Sequence, residues 1–181
     1  IIYPAQYWPH KNHLTLLLAL KSLRQQGCHL KLLLTGHDRG FKAKVKKHVS
    51  NLGLDNDVVM SNFHSRSELN WLIAQSFSLV FPSYFGPDNL PPLEAMALGV
   101  PAIVADVPGS QEQYQDAVLR FNPSSPFSLS GAVWSIYSNP QLCDALVKKG
   151  SHLVKSLTTL NYVARIEELL RDYSGMLKSI Q

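Results

Sequence analysis

The chain has 181 residues, enough for one sizeable domain around a single core. Hydrophobic residues make up 45% and charged residues 17%, which excludes a disordered chain. The net charge of +4 is mild and suits an anionic ligand, while the two cysteines, Cys28 and Cys143, form neither a metal spacing nor a disulfide framework, as expected in a reducing compartment.

The pattern alternates strand and helix. Ile1 to Ala5 reads as a short strand and His13 to Gln25 as a leucine-rich helix stopped by Gly27. Leu30 to Leu34 is a continuous apolar run, the mark of a strand buried on both faces. Thr35-Gly36 turns the chain into a helix over Phe41 to Leu52. There Lys42, Lys44, Lys46 and Lys47 form the wet face opposite Phe41, Val45, Val49 and Leu52. Without a nucleic-acid motif beside it, this basic run does not point to nucleic acid. Asp57 to Met60 is a strand, and Ser65 with Glu68 makes a capping box opening a helix to about Ala74. Leu79 to Phe81 is a strand, Pro91 to Leu98 a helix, Pro101 to Ala105 a strand, and Ala117 to Phe121 another. The remainder is helical. Pro126 and Pro140 open two helices, the second to about Val154. A last helix over Leu160 to Met176 spaces Val163, Ile166, Leu170, Tyr173 and Leu177 as a packed stripe.

Short strands separated by helical patterns imply parallel βαβ units, in which ligands bind outside the carboxyl ends of the strands. The loops after Ala5, Leu34, Met60, Phe81 and Ala105 are therefore expected to line the site. They carry Gln6, His10 and Lys11; Gly36 and His37; Phe63; Ser83 to Asn89 followed by Glu94; and Glu112. The stretch from Ser83 to Pro101 is the most informative. A loop leaves a buried strand and enters a helix whose first turn holds prolines and Glu94. Free backbone N–H groups and the positive end of the helix dipole near Leu90 favour a phosphate there. A carboxylate beside a phosphate site accepts hydrogen bonds from sugar hydroxyls, so the pair suggests a nucleotide or nucleotide sugar.

With these residues in order, the chain resembles the C-terminal, donor-binding domain of a family-4 retaining glycosyltransferase (glycosyl transferases group 1, GT-B architecture). The most specific piece is Leu90-Pro91-Pro92-Leu93-Glu94-Ala95-Met96-Ala97-Leu98-Gly99-Val100-Pro101. Thr35-Gly36, Phe63, Phe81-Pro82-Ser83 and Val107-Pro108-Gly109 follow the family's order. The resemblance implies an α/β fold: a Rossmann-like parallel sheet flanked by helices, one half of a GT-B enzyme, with extra C-terminal helices. It also implies a single domain over 1–181, with an acceptor-binding N-terminal domain outside this chain. The opening Ile-Ile-Tyr, already strand-like and without methionine, agrees with a piece of a longer protein.

Roles carry over residue by residue. Lys11 matches the lysine of a basic pair that faces the donor diphosphate, and Gln6 stands where the arginine of that pair is usual. Glu94 matches the second of two glutamates, the one that hydrogen-bonds the nucleotide ribose. The first falls at Gly86, a departure. The loop around Gly86 then offers Asp88 or Asn89 to the sugar, and the catalytic residues are expected to be Lys11 and Asp88. Asn89 reads equally as the cap of the following helix. His10, His37 and Glu112 are loop residues with a ligand contact as the alternative; Glu112 also reads as a helix-start cap. Phe63 lines the base pocket or packs in the core, and Trp8 and Tyr84 read as packing residues.

The implied donor is a GDP-, UDP- or dTDP-linked sugar. The implied reaction is retaining transfer of a hexose, mannosyltransferase-like, to a saccharide or lipid-linked acceptor in polysaccharide biosynthesis. No cofactor, metal or nucleic-acid partner is expected. The expected location is cytoplasmic, peripheral at the inner face of the membrane in a full-length protein, and the isolated domain is expected to be inactive. Two other readings stand beside this one: a noncatalytic nucleotide-binding or scaffold domain, and a fragment of a GT-B sugar-nucleotide epimerase.

Overall fold

Leu32, Leu33 and Leu34 form an unbroken apolar run because their strand lies inside a sheet with a neighbour on each side. The computed structural model describes residues 1–86 and 89–179, the last five of these by backbone alone. Strands β1 (Ile2–Pro4), β2 (Leu32–Thr35), β3 (Val58–Met60), β4 (Leu79–Phe81), β5 (Ala102–Ala105) and β6 (Val118–Phe121) make one six-stranded sheet in the order β3-β2-β1-β4-β5-β6. Every pairing is parallel, with Ile2 opposite both Leu33 and Leu79. The expected α/β sheet flanked by helices is the observed fold.

Helices fill the crossovers, α1 (His13–Gln25), α2 (Lys42–Asn51), α3 (Arg66–Ala74), α4 (Pro91–Ala97) and α5 (Ser110–Tyr114), and α6 (Pro126–Ser138), α7 (Pro140–Ser156) and α8 (Thr159–Ser179) follow the last strand. Helix α1 packs against α2 and α6, and α4 against α3 and α7. The capping box of α3 is formed: Ser65 Oγ accepts the Glu68 N–H while Glu68 Oε2 accepts the Ser65 N–H. Ser125 and Asn139 cap α6 and α7 in the same sense.

Chain order reverses between β1 and β4. The first leads outward through β2 to β3; the second leads the other way through β5 to β6. A crevice opens beyond the carboxyl ends of strands at such a switch point. Here it lies between the loop after β1 and the loop after β4. The two loops are latched together. The Tyr84 N–H donates to the His10 carbonyl at 3.0 Å, and Asn12 Nδ2 donates to the carbonyls of Pro82 (3.1 Å) and Pro123 (2.9 Å).

The last helix departs from expectation. Val163, Ile166, Leu170 and Tyr173 do fall on one stripe, but all are exposed, and the side chain of Leu177 lies outside the described residues. Spacing set the stripe correctly; it does not supply a surface within this chain to cover it. Two short elements, a 3-10 turn at Pro9–Lys11 and α5, are too brief to leave a periodic signature.

Candidate active site

Lys11 ends the 3-10 turn of the loop after β1. Its carbonyl accepts the Tyr3 hydroxyl at 2.8 Å, and Asn12, in the left-handed region at φ 55°, turns the chain into α1. The backbone beneath the ammonium is therefore fixed. Lys11 Nζ donates to Ser83 Oγ at 3.3 Å and stands 5.4 Å from the centre of the Phe81 ring. Ser83 gives its own proton to the Phe85 carbonyl at 2.7 Å, so its lone pair faces the lysine. Burial lowers the Lys11 pKa, and among the described residues no carboxylate lies within 4 Å of it. A partly desolvated cation without a counter-charge is suited to an incoming anion.

Across the crevice stands Asn89. Its Oδ1 is buried and has no hydrogen-bond partner among the described residues. Its backbone is left-handed at φ 42°, and its carbonyl accepts the hydroxyl of buried Tyr114 at 2.7 Å. The capping alternative fails: Leu90 occupies the cap position of α4, and no side chain closes it. Pro91 and Pro92 take the first two helical positions and bring no N–H, so the expected row of first-turn donors is thinned to those of Leu90 and Leu93. Gly86 completes this corner. A Cβ on Gly86 would strike the Asn89 carboxamide and stand 3.5 Å from Lys11 Nζ. The absence of a side chain at Gly86 leaves the space in which the Asn89 carboxamide sits. Asp88, the other expected catalytic residue, lies outside the described residues.

Glu94, in the first turn of α4, is largely covered, and its Oε1 accepts from Arg66 of α3 at 2.8 Å. At the ends of β1 and β2, Gly36 is required by close approach. A Cβ there would lie 2.6 Å from the Ala5 carbonyl carbon and 2.9 Å from the Gln6 nitrogen. Gln6, Gly36, His37 and Phe63 line a cleft of about 160 Å³. Phe63 is not a core residue: it is 64% exposed and lies flat on His37, with centroids 4.5 Å apart and planes within 11°.

His10 stacks on Phe85 at 4.4 Å, joining the two latched loops, while burial and then the charge of Lys11 lower its pKa. That shift disfavours its cationic form beside the lysine. Trp8 and Tyr84 are exposed, against the expectation that they pack. Glu112 is exposed in the first turn of α5, which has Gly109 at its cap and no side-chain cap bond. Among the described residues, no three His, Cys, Asp or Glu side chains gather where they could hold a metal ion. Nor is any helix there long and apolar enough to cross a membrane.

The fold has known counterparts. The family model described as "Glycosyl transferases group 1" matches residues 1–153. The chain belongs to that family. The O-antigen chain mannosyltransferase RfbU of Salmonella typhimurium is 28% identical over 148 residues, covering 82% of this chain and 40% of that protein. Among solved structures, sucrose-phosphate synthase from Thermosynechococcus elongatus superimposes with a TM-score of 0.79 at 24% identity, over 97% of this chain and 45% of its own. HepE of Anabaena in complex with UDP gives 0.80 at 19% identity, over 94% and 48%. The C-terminal domain of the group 1 glycosyltransferase LpcC from Francisella tularensis gives 0.76 at 19% identity, over 86% and 84%. The chain thus spans less than half the length of RfbU, the synthase and HepE.

Several members of the site carried no sequence signal. Tyr114 holds the Asn89 carbonyl from α5, an element too short to read. Arg66 reaches Glu94 from another helix, and Phe85 meets His10 from another loop. Long-range pairing of this kind appears only once the sheet order is known.

Proposed function

We propose that this chain is the donor-binding half of a retaining glycosyltransferase and takes a nucleoside diphosphate sugar. The observation that carries the reading is the placement around Gly86 of Lys11 Nζ and the buried Oδ1 of Asn89, which among the described residues have, respectively, no carboxylate within 4 Å and no hydrogen-bond partner. A lone cation accepts any anion. A buried acceptor close to it calls for an O–H donor. A phosphate attached to a sugar satisfies both.

In this reading Lys11 binds the donor diphosphate and stabilises the negative charge that develops as the sugar–phosphate bond breaks. Asn89 accepts from a hydroxyl of the transferred sugar. Glu94 accepts from the ribose, and the base enters the cleft beside Phe63. The acceptor is held by a further domain of the whole protein. RfbU, named as a mannosyltransferase, supports a hexose donor, and HepE, solved with UDP, supports a nucleoside diphosphate.

Calorimetric titration with UDP, GDP and dTDP tests the site. One nucleotide is expected to bind saturably, and Lys11→Ala and Glu94→Ala, both still folded, are each expected to lose on the order of tenfold or more in affinity. Affinity unchanged in both variants overturns the assignment.

A further inference from the structure

A nucleoside diphosphate brings more than one negative charge, and Lys11 offers a single positive one. Four cations stand on the loops and helix starts beyond β1, β2 and β3: Lys11, Arg39, Lys42 and Arg66. Lys42 Nζ is engaged by the Ser61 carbonyl (3.2 Å) and Asn62 Oδ1 (2.7 Å), and Arg66 pairs with Glu94. Arg39 differs. Among the described residues no carboxylate lies within 4 Å of its guanidinium, and its one hydrogen bond runs from Nε to Gln6 Oε1 at 3.2 Å. Among the described residues its two Nη groups make none. The neighbouring Asp38 forms no ion pair with it; Asp38 Oδ1 accepts the N–H groups of Gly40, Phe41 and Lys42 instead.

Gln6 is built to hold that guanidinium. Its Oε1 also accepts the Trp8 indole N–H at 3.0 Å, and Trp8 leans over His10, the residue before Lys11, with ring centroids 6.3 Å apart. The loop carrying Arg39 is pinned to the loop after β1 by a parallel bridge between Tyr7 and Asp38, the Tyr7 N–H donating to the His37 carbonyl at 3.0 Å. Gln6 itself lines the cleft with Gly36, His37 and Phe63. An arginine fixed through Nε presents two Nη groups as a planar fork, the geometry that grips phosphate oxygens in pairs.

We infer that Arg39 is the second phosphate-binding cation of the donor site, delivered from the loop after β2, and that Gln6 is the positioning residue that aims it. The inference rests on the donor reading above. Gln6 holds the guanidinium against the loop that carries Lys11.

The test is titration of the 181-residue chain with the nucleoside diphosphate it binds, and with the corresponding monophosphate and nucleoside. Arg39→Ala is expected to weaken the diphosphate on the order of tenfold, to flatten its salt dependence, and to leave the nucleoside unchanged. Gln6→Ala is expected to produce a smaller loss in the same direction. Gln6→Arg placed in the Arg39→Ala background is expected to restore affinity, which a merely structural role for either residue would not do. Arg39 is exposed, so its removal leaves the fold intact, checked by the unfolding midpoint. If Lys11→Ala weakens the diphosphate and Arg39→Ala does not, the Arg39 assignment is wrong and the donor reading stands. If neither variant changes binding, or if the chain binds no nucleotide, both fall.

Discussion

The Arg66 guanidinium stands 2.8 Å from Glu94 Oε1, and the two are unequal partners: the Glu94 side chain is 18% exposed and that of Arg66 70%. An ion pair with one arm in solvent contributes little to stability, below about 1 kcal/mol. Its effect is on orientation, since Glu94 has few rotamers open to it once Arg66 holds one oxygen. Arg66→Ala is therefore expected to leave the unfolding midpoint almost unchanged and to weaken nucleotide binding by roughly three- to tenfold. In a Glu94→Ala background the same substitution is expected to have no further effect. Additive losses in this double-mutant cycle would separate Arg66 from Glu94.

Gly86 gives a prediction that runs against the family pattern. A glutamate at 86 is what the resemblance to the family would lead one to expect. Here a Cβ at 86 meets the Asn89 carboxamide, whose backbone is held by Tyr114 and by its left-handed conformation. Gly86→Glu must push Asn89 aside and brings a carboxylate near Lys11. Nucleoside diphosphate affinity is expected to fall by on the order of tenfold, and more at low ionic strength, where the carboxylate is least screened. An affinity gain in the titration would show that Asn89 and Gly86 do not act together.

The sheet was legible because each strand is short, mostly apolar and followed by a helix; the boundaries of β4 and α1 coincide with those read from sequence. Where one residue's place in the chain sufficed, the placement was legible: Lys11 does lie in the loop after β1 and Glu94 in the first turn of α4. It was not legible where the property belongs to a pair. Nothing in the spacing of Asn89 reveals that its Oδ1 ends without a partner, and nothing in Gln6 reveals that it holds Arg39. The stripe on α8 failed in the opposite way: periodicity states which residues share a face, not whether anything covers that face.

Asn12 links the loops that frame the crevice. Its buried amide donates to the carbonyls of Pro82 and Pro123, and its left-handed backbone ends the turn that carries Lys11. Asn12→Ala removes both bonds, leaves two carbonyls without that donor and puts alanine at φ 55°, for a loss of about 2–4 kcal/mol in urea unfolding. Asn12→Gly keeps the conformation and loses only the bonds, so it is expected to be the milder of the two. Equal losses would assign the whole cost to the amide.

His13 sets an acid limit on the fold. It is 1% exposed, lies against the rings of Tyr3 and Tyr7 with centroids 5.1 Å away in each case, and among the described residues neither ring nitrogen has a partner. Burial, and then the charge of Lys11, lowers its pKa from 6.5 to about 4. The folded state therefore holds this histidine neutral, while the unfolded chain protonates it below about pH 6.5. Between those two values the unfolded state binds more protons, so stability rises with pH. The contribution is complete above the unfolded pKa and is lost as pH falls toward 4, a change on the order of 3 kcal/mol across the window. The check is urea unfolding at intervals from pH 4 to 7.5 for the wild type and for His13→Phe, which keeps an aromatic ring between the tyrosines without a titrating group. The wild type is expected to lose stability toward acid more steeply than the variant. Parallel curves would mean that the ring is protonated in the folded state as readily as in the unfolded one, and that another group sets the acid limit.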